Sequence, residues 1–295
     1  MESKNSNIDY LGLLQSSIDL NLENYILKFN DCNEKFCELA VHDIRVRIRR
    51  FLTLLSMLKT ISNSETTLLI VPLLKDQLKI FNPLRDVQVQ LLKVQTLVYT
   101  YPVLYKFYHY LLEKEEGLIS IIQQQIREFD IVSFNKLILK LKLELDKFYK
   151  ENQNIVLRPQ DYAYQRYNMV VTKFNQSNRA DVKSIHKVRL NFKKFRYSME
   201  IIKPIIQEKS PEEMISPEND LYFKMNEFQT VMGNIQDLTI FIRDLYTYAE
   251  FQNVVSKEMF KPVEKELIIE REKQIDDFYS NFEKFYSFWK PEYLI

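Results

Sequence analysis

Two segments of the sequence combine a histidine with closely spaced cations. They are "HDIRVRIRR", which begins at His42, and "HKVRLNFKKFRY", which begins at His186. When the two histidines are aligned, cations coincide at three positions without a gap: Arg45 with Arg189, Arg49 with Lys193, and Arg50 with Lys194. Arginine and lysine side chains donate hydrogen bonds and accept none, so the shared pattern favours the binding of an anion. Phosphate fits well, because an arginine can bind two of its oxygens at once.

The spacing places these side chains along one face of a helix. At about 100° per residue, offsets of 0, 3 and 7 residues from each histidine fall within an arc of about 60°. In the second segment Arg196 and Tyr197 extend the stripe, whereas Leu52 and Thr53 occupy those positions in the first. Five apolar positions repeat on the opposite face: Ile44, Ile48, Phe51, Leu55 and Leu58, matched by Val188, Phe192, Phe195, Met199 and Ile202. Each segment is therefore predicted to be an amphipathic helix with its apolar face in a core.

The charge of the chain is unevenly distributed. Its formal net charge is +1, yet residues 42–50 carry four arginines and one aspartate, and residues 183–196 carry six cations and no acid. The two segments contribute +3 and +6, so the remaining chain carries −8. A run of charge is usually only a solvated helix face, but such a face normally mixes signs, and no residue from Val182 to Met199 is acidic. A cationic centre in an acidic shell attracts anions and discourages indiscriminate binding.

Each basic segment is followed by an aspartate in a related context. "LRDVQVQL" places Asp86 44 residues after the first histidine, and "IQDLTIFI" places Asp237 51 residues after the second. A basic helix followed by a helix that opens with a carboxylate thus occurs twice, which predicts two copies of a unit of about 145 residues. We assign residues 1–152 to a first helical bundle and residues 160–295 to a second, related by pseudo-twofold symmetry. Both aspartates are predicted to contact cations of the basic faces and to orient them, without contacting the ligand themselves.

Composition predicts an all-α fold. The 295 residues include only three glycines, which argues against glycine-rich nucleotide-binding loops and nucleophile elbows. Apolar residues recur every three or four positions, as in long helices. Pro83 after Asn82 is predicted to begin one helix, and Gly233 is predicted to separate two others, at 219–232 and 235–255. No segment has the roughly 18 consecutive apolar residues of a membrane span, so we expect a cytoplasmic protein with no membrane partner.

The same residues provide little for catalysis. Neither His42 nor His186 has a partner at metal-ligand spacing, so no metal, cofactor or catalytic residue is predicted. His109, the remaining histidine, is given no role. Cys32 and Cys37 are predicted to be buried thiols, because free cysteine is among the most buried residue types.

The two basic segments resemble the motifs of the CHAD family, the conserved-histidine α-helical domain. Its signature is a helix of the form H-x-x-R-V-x-x-R-R near the start and a related H-x-x-R-x-x-x-K-K/R-x-R-Y in the second half, which "HDIRVRIRR" and "HKVRLNFKKFRY" match. The "RD" of "NPLRDVQV" and the "QD" of "GNIQDLTI" resemble two further elements of the family. One departure is Leu52, where the family often has another basic residue. The resemblance extends over nearly the whole chain.

The resemblance implies two helical bundles around a basic central channel that binds inorganic polyphosphate. The ligand contacts that it implies are His42, Arg45, Arg49, Arg50, His186, Arg189, Lys193, Lys194, Arg196 and Tyr197. Further candidates are Arg166 and Lys173, on the helix before the second motif, and Arg47, which has no cationic counterpart because Asn191 occupies the matching position. Sulfate or phosphate is expected to occupy the same site. No E-x-E-x-K motif of a triphosphate-tunnel domain occurs, so we expect the stand-alone type.

Three functions stay open at this point. Non-enzymatic binding of polyphosphate is favoured by the acid-free stripes. Nucleic-acid binding is the second, because the same cations suit any phosphate backbone, although no recognition motif is present. A metal-dependent enzyme that processes polyphosphate is the third, with Asp86 and Asp237 as its only visible candidates. The sequence does not distinguish simple binding from a scaffold at polyphosphate granules, and it leaves the oligomeric state open.

Overall fold

The basic segments lie in long helices. The computed structural model describes residues 8–152, 157–209, 221–251 and 254–294, and these residues contain no β-strand. The helices are α1 Tyr10–Lys35, α2 Glu38–Ser62, α3 Thr66–Leu97, α4 Leu104–Arg127, α5 Ile131–Glu151, α6 Pro159–Asn175, α7 Val182–Ile201, α8 Lys203–Lys209, α9 Leu221–Phe251 and α10 Val254–Ser280. Two 3-10 turns follow, at Phe282–Phe288 and Pro291–Leu294. The predicted all-α fold is confirmed. In the described ranges, no helix has the length and apolar content needed to cross a membrane.

The apolar faces of the two basic helices meet in one core. All ten apolar positions predicted to face a core, on α2 and on α7, have 0% of their surface exposed. They belong to a single cluster that takes residues from both halves of the chain. Burial of each such side chain contributes roughly 1.5–3 kcal/mol, so together they fix the rotation of both helices about their axes. The basic stripes are thereby turned away from this core.

Four helices surround the basic stripes. Helix α2 packs on α3 and α7 packs on α9, while α2 also contacts α7 and α3 contacts α9. A second apolar cluster joins the C-terminal halves of α3 and α9 to α4 and α10. The predicted division at residues 152–160 and the pseudo-twofold symmetry stay predictions, and residues 153–156 of that linker lie outside the described ranges.

Two predicted helix boundaries are wrong. Helix α3 continues through Pro83 and through Pro72 before it, and α9 continues through Gly233. An internal proline costs about 3 kcal/mol and an internal glycine about 1 kcal/mol relative to alanine. The neighbouring Phe81 and Leu84 are buried, as are the residues beside the glycine at 232 and 235. Tertiary packing of these neighbours therefore outweighs the local cost.

The two cysteines differ in environment. Cys32 is buried as predicted, on the core side of α1, but Cys37 is exposed. Cys37 is the residue immediately before α2. Its exposure corrects the prediction of two buried thiols, because a position between two helices is not on the buried face of either.

Candidate anion-binding site

Both basic stripes line one cavity between α2, α3, α7 and α9, with a volume of about 710 Å³. We refer to it as the basic cavity. Helix α2 contributes His42, Arg45, Arg49 and Arg50, and α7 contributes His186, Arg189, Lys193, Arg196 and Tyr197. Nine of the ten ligand contacts implied by the resemblance thus lie together, although contact with polyphosphate itself stays a prediction.

Helices α3 and α9 complete the basic cavity from matching positions. When Asp86 is aligned with Asp237, all four α3 positions in the lining correspond to α9 positions that also line it. These are Asn82, Arg85, Asp86 and Val89 on α3, and Gly233, Gln236, Asp237 and Ile240 on α9. The two aspartates lie in the middle of their helices and not at the starts, because α3 and α9 continue past the predicted breaks. Both line the cavity directly, and their role in orienting cations stays a prediction.

On the α2 wall, one arginine is held by a neutral partner. The guanidinium of Arg45 donates two hydrogen bonds to Oδ1 of Asn82, from Nε at 3.1 Å and from Nη2 at 2.9 Å. Burial and the nearby Arg49 lower the pKa of Arg45 to about 10, while Asp86 opposes this shift. Arg45 therefore stays charged at neutral pH but has part of its hydrogen-bonding capacity already in use.

On the α7 wall, the matching arginine lacks that partner. The buried Nε of Arg189 has no hydrogen-bond acceptor in the described part of the chain, and Gly233 occupies the position that corresponds to Asn82. Burial lowers the pKa of Arg189 and lowers that of Lys193 well below its usual value, the latter also because of Arg189 and Arg49. An anion placed beside such cations stabilises their charged form, which burial and neighbouring like charges destabilise.

The surroundings of both histidines lower their pKa. Partial desolvation lowers the pKa of His42, although its side chain is largely exposed, and Arg45 adds to this effect against the opposing influence of Asp43. Burial also lowers the pKa of His186, followed by Arg189, while a hydrogen bond with Gln236 opposes the shift. An anion beside either imidazole would favour the protonated form and raise its pKa.

A carboxylate that the sequence analysis missed pairs with two of the predicted contacts. Glu200 Oε2 lies 2.9 Å from Nε of Arg50 on α2, and its Oε1 lies 3.1 Å from Nη1 of Arg196 on its own helix. Both guanidiniums also lie over the ring of Tyr197, 5.7 and 4.8 Å from its centroid. Arg196 is 8% exposed and donates to Gln229 at 3.0 Å. The sequence signal was the i, i+4 spacing of Arg196 and Glu200.

Four predicted residues lie outside the basic cavity. Lys194 is exposed and lines a neighbouring cavity. Arg166 lies over the ring of Tyr162, 4.6 Å from its centroid, and Lys173 donates a hydrogen bond to a glutamine side chain at 3.0 Å. Arg47 is half-buried and lines neither cavity. The helix faces on which these residues lie separate them from the other nine.

Arg85 is a cation of the basic cavity that sequence reasoning did not assign. Its guanidinium pairs with Glu38 at the start of α2, and burial lowers its pKa. The available signal was the spacing of Asn82, Arg85 and Asp86, which places all three on one helix face once α3 is continuous. The predicted helix start at Pro83 concealed that face.

The basic cavity contains more unpaired positive than negative charge. Within the described ranges, its cations without a carboxylate partner are Arg45, Arg49, Arg189 and Lys193. Among the described residues, two carboxylates line it, Asp86 and Asp237, and burial raises the pKa of Asp86 while Arg45 opposes this. Cations focused in a cleft of low dielectric constant attract a polyanion. No group of three or more potential metal ligands occurs among the residues that the structure describes.

A family model described as the CHAD domain matches residues 37–243. This range contains both histidine motifs and both aspartates of the basic cavity. The chain belongs to the CHAD domain family. The family assignment made from the sequence motifs is thereby confirmed, and with it the coarse assignment of the chain to a polyphosphate-related domain.

Solved structures agree in fold. The CHAD domain from the plant Ricinus communis is similar with a TM-score of 0.69 and 14% sequence identity, over 92% of this chain and 90% of that chain. PptA from Streptomyces chartreusis is similar with a TM-score of 0.62 and 9% identity, over 94% of this chain and 99% of that chain. A comparison with curated proteins found no match. At such low identities the likeness concerns the fold alone, and the channel stays a prediction.

Proposed function

We propose that this CHAD domain binds inorganic polyphosphate in the basic cavity and does not alter it chemically. The observation that carries the proposal is the set of four cations without carboxylate partners, which stand on two facing helices. Arg189 brings a buried Nε that has no acceptor within the described ranges. Phosphate oxygens would supply acceptors to these donors, in charge-assisted hydrogen bonds about twice as strong as neutral ones.

The lining of the basic cavity favours polyphosphate over nucleic acid. Single-stranded nucleic acids are usually held by aromatic side chains on which their bases stack. Apart from the two histidines, Tyr197 is the only aromatic side chain among the described residues that line the cavity, and it is 3% exposed and lies beneath two guanidiniums. A ligand with dense charge and no bases fits this surface better.

The same lining gives little support to an enzyme. Metal-assisted phosphoryl transfer needs carboxylates that hold divalent ions against the reacting phosphate. Asp86 and Asp237 are the only carboxylates among the described residues of the cavity. We therefore assign no catalytic residue and no cofactor, and we expect no release of phosphate from polyphosphate in the presence of Mg²⁺ or Mn²⁺.

The decisive experiment compares two double variants that change the net charge equally. Arg45→Glu with Arg189→Glu reverses one cation on each wall, whereas Lys183→Glu with Lys187→Glu reverses two exposed cations of α7 that do not line the cavity. We expect the first pair to abolish measurable binding of long-chain polyphosphate in calorimetry and the second to weaken it slightly. Equal affinities of the two double variants would contradict the proposal.

Three further measurements separate the competing functions. The logarithm of the affinity for polyphosphate should fall linearly with the logarithm of salt concentration, because each neutralised phosphate releases counterions. DNA or RNA at equal phosphate concentration should not displace polyphosphate. Metal-dependent release of phosphate that is lost in Asp86→Asn or Asp237→Asn would contradict the proposal of binding alone and would indicate an enzyme. In cells, we expect a fluorescent fusion to lie in the cytoplasm and to gather at polyphosphate granules.

A further inference from the structure

A second cavity of about 610 Å³ lies beside the basic cavity, between α2, α3, α6 and α7. We refer to it as the side cavity. Its apolar lining is aliphatic apart from two tyrosines, and consists of Leu52, Leu55, Leu68, Val71, Pro72, Leu78 and Leu190. The volume falls within the range of roughly 300–1,000 Å³ that small-molecule sites occupy. A polyanion gains nothing from these aliphatic side chains, so the apolar part of the side cavity needs a different explanation.

The side cavity enters the protein and is not a flat patch. Its inner wall includes Leu55 and Tyr162, which have 0% exposed surface, and Tyr197, which has 3%. Leu68 at its mouth is 58% exposed. An apolar group that enters from the solvent side can therefore pass from an exposed leucine to fully buried side chains between the helices.

Every charged residue that lines the side cavity is a cation. Lys59, Lys75 and Lys194 line only the side cavity, whereas Arg49 and Lys193 line both cavities. The described lining includes no aspartate or glutamate. Partial desolvation lowers the pKa of Lys194, although its side chain is largely exposed, and Arg166 and Lys75 lower it further. The side cavity thus combines an aliphatic interior with a rim of like charges that an anionic group would stabilise.

We propose that the side cavity binds an amphiphile that consists of an aliphatic chain with a terminal phosphate group. The chain would occupy the leucine-lined part of the cavity, and the phosphate would lie against Arg49 and Lys193, the two cations that line both cavities. A phosphate monoester brings nearly two negative charges and several acceptor oxygens to these cations. A nucleotide fits less well, because the lining offers aliphatic side chains where a base would need an open aromatic face.

Affinity as a function of chain length tests the apolar half of this proposal. Butyl, octyl and dodecyl phosphate, below the concentration at which they form micelles, should bind with an affinity that rises by about fourfold per added methylene until the cavity is filled. Inorganic phosphate and dodecyltrimethylammonium should bind weakly or not at all. Equal affinity for butyl and dodecyl phosphate, or equal affinity for the cationic amphiphile, would overturn the proposal.

Two neighbouring leucines of α3 provide matched variants. Leu68 lines the side cavity, whereas Leu69 does not, and the two are 58% and 54% exposed. Leu68→Asp should lower the affinity for dodecyl phosphate by about tenfold or more, since it removes an apolar contact and adds a charge that repels the phosphate. Leu69→Asp should leave it unchanged. Both variants alter an exposed side chain, so both should fold, and equal effects would overturn the assignment to this cavity.

Competition distinguishes this proposal from the binding of polyphosphate. Because Arg49 and Lys193 face both cavities, dodecyl phosphate should weaken the binding of polyphosphate in the wild type and less so in Leu68→Asp. Binding of dodecyl phosphate that depends on Leu68 would stand even if polyphosphate did not bind at all. Binding of an acidic amphipathic peptide without any binding of alkyl phosphates would assign the side cavity to a protein partner and overturn the proposal.

Discussion

The α2 wall and the α7 wall of the basic cavity each present a histidine, an arginine and a further cation at offsets of 0, 3 and 7 residues, yet the two matching arginines have different hydrogen-bond partners. Arg45 donates two hydrogen bonds to Asn82 on α3. Arg189, at the matching position of α7, has a buried Nε with no acceptor within the described ranges. The difference arises on the helices that pack against the two walls. Helix α3 has Asn82 at the position where α9 has Gly233.

The contrast shows that two basic stripes with similar sequences can differ in how readily their cations bind an anion. A guanidinium already bonded to an amide must give up or share those bonds to receive an anion, whereas an unbonded one loses nothing. The α7 wall also holds Lys193, whose pKa is lowered well below its usual value by burial and neighbouring cations. We therefore expect the α7 wall to provide the larger part of the affinity for polyphosphate.

Removal of one arginine from each wall tests this expectation most strongly. Arg189→Gln should lower the affinity for long-chain polyphosphate by roughly 10- to 100-fold, because hydrogen bonds to charged groups contribute about 1.5–3 kcal/mol each. Arg45→Gln should have a smaller effect, because Arg45 has Asn82 as a competing acceptor. Calorimetry at one fixed salt concentration measures both, and a larger loss in Arg45→Gln would reverse the ranking of the walls.

Lys193→Met should weaken the binding of polyphosphate by about tenfold and stabilise the protein in the absence of ligand. Methionine has a similar volume, and it removes a cation that burial and Arg189 disfavour. We expect a gain in the free energy of unfolding, because the folded protein lowers the pKa of Lys193 and so disfavours its charged form at neutral pH. Denaturant titration measures this gain, and the exposed Lys187→Met is the control.

The pH dependence of that gain has a definite sign. The pKa of Lys193 is lower in the folded protein than in the unfolded chain, so the unfolded chain binds more protons and the wild type gains stability as pH rises. The advantage of Lys193→Met should therefore be larger at pH 7 than at about pH 9.5, near the pKa of about 10.4 of an unfolded lysine. An advantage that is independent of pH would show that burial of the ammonium group is not its cause.

The two histidines should make binding depend on pH. The pKa of each is lowered by burial and adjacent cations, and a bound anion would raise it. Binding then takes up protons, so affinity should rise as pH falls from 8 to 6, by about tenfold for each unit by which the anion raises a histidine pKa. The pair His42→Gln and His186→Gln should remove this dependence, and an unchanged profile in that variant would exclude the histidines.

The smallest expected effect on polyphosphate affinity comes from a change at Gly233, the position on α9 that corresponds to Asn82 on α3. A Cβ added at Gly233 would meet no atom within 4 Å, and Gly233 lines the same cavity as Arg189, so Gly233→Asn introduces an amide on the wall that faces Arg189. It should stabilise the protein by a few tenths of a kcal/mol through helix propensity and lower polyphosphate affinity severalfold. Gly233→Ala gives the helix effect alone. Equal affinities of these two variants would show that the amide does not reach Arg189.

Much of the basic cavity could be predicted because helix periodicity is local. The offsets from each histidine predicted eight of the nine implied contacts that line the cavity, the resemblance supplied the ninth, Arg50, and the ten apolar positions on the opposite faces are buried. Lys194, the tenth implied contact, is the exception, since it follows Lys193 by about 100° around the helix and faces the side cavity. The continuity of α3 through Pro83 and of α9 through Gly233 could not be predicted, because packing outweighs the local signals there.

By itself, the sequence determined two amphipathic helices with basic stripes in the same register, because residues three, four and seven apart share a face in any α-helix. Only the tertiary structure decided which cations are already satisfied. Asn82 binds Arg45 across α2 and α3, and Glu200 holds Arg50 and Arg196 between α2 and α7. Such pairs depend on which helices lie side by side. Residues paired between helices are far apart in the sequence, so no local sequence pattern predicts which of them meet.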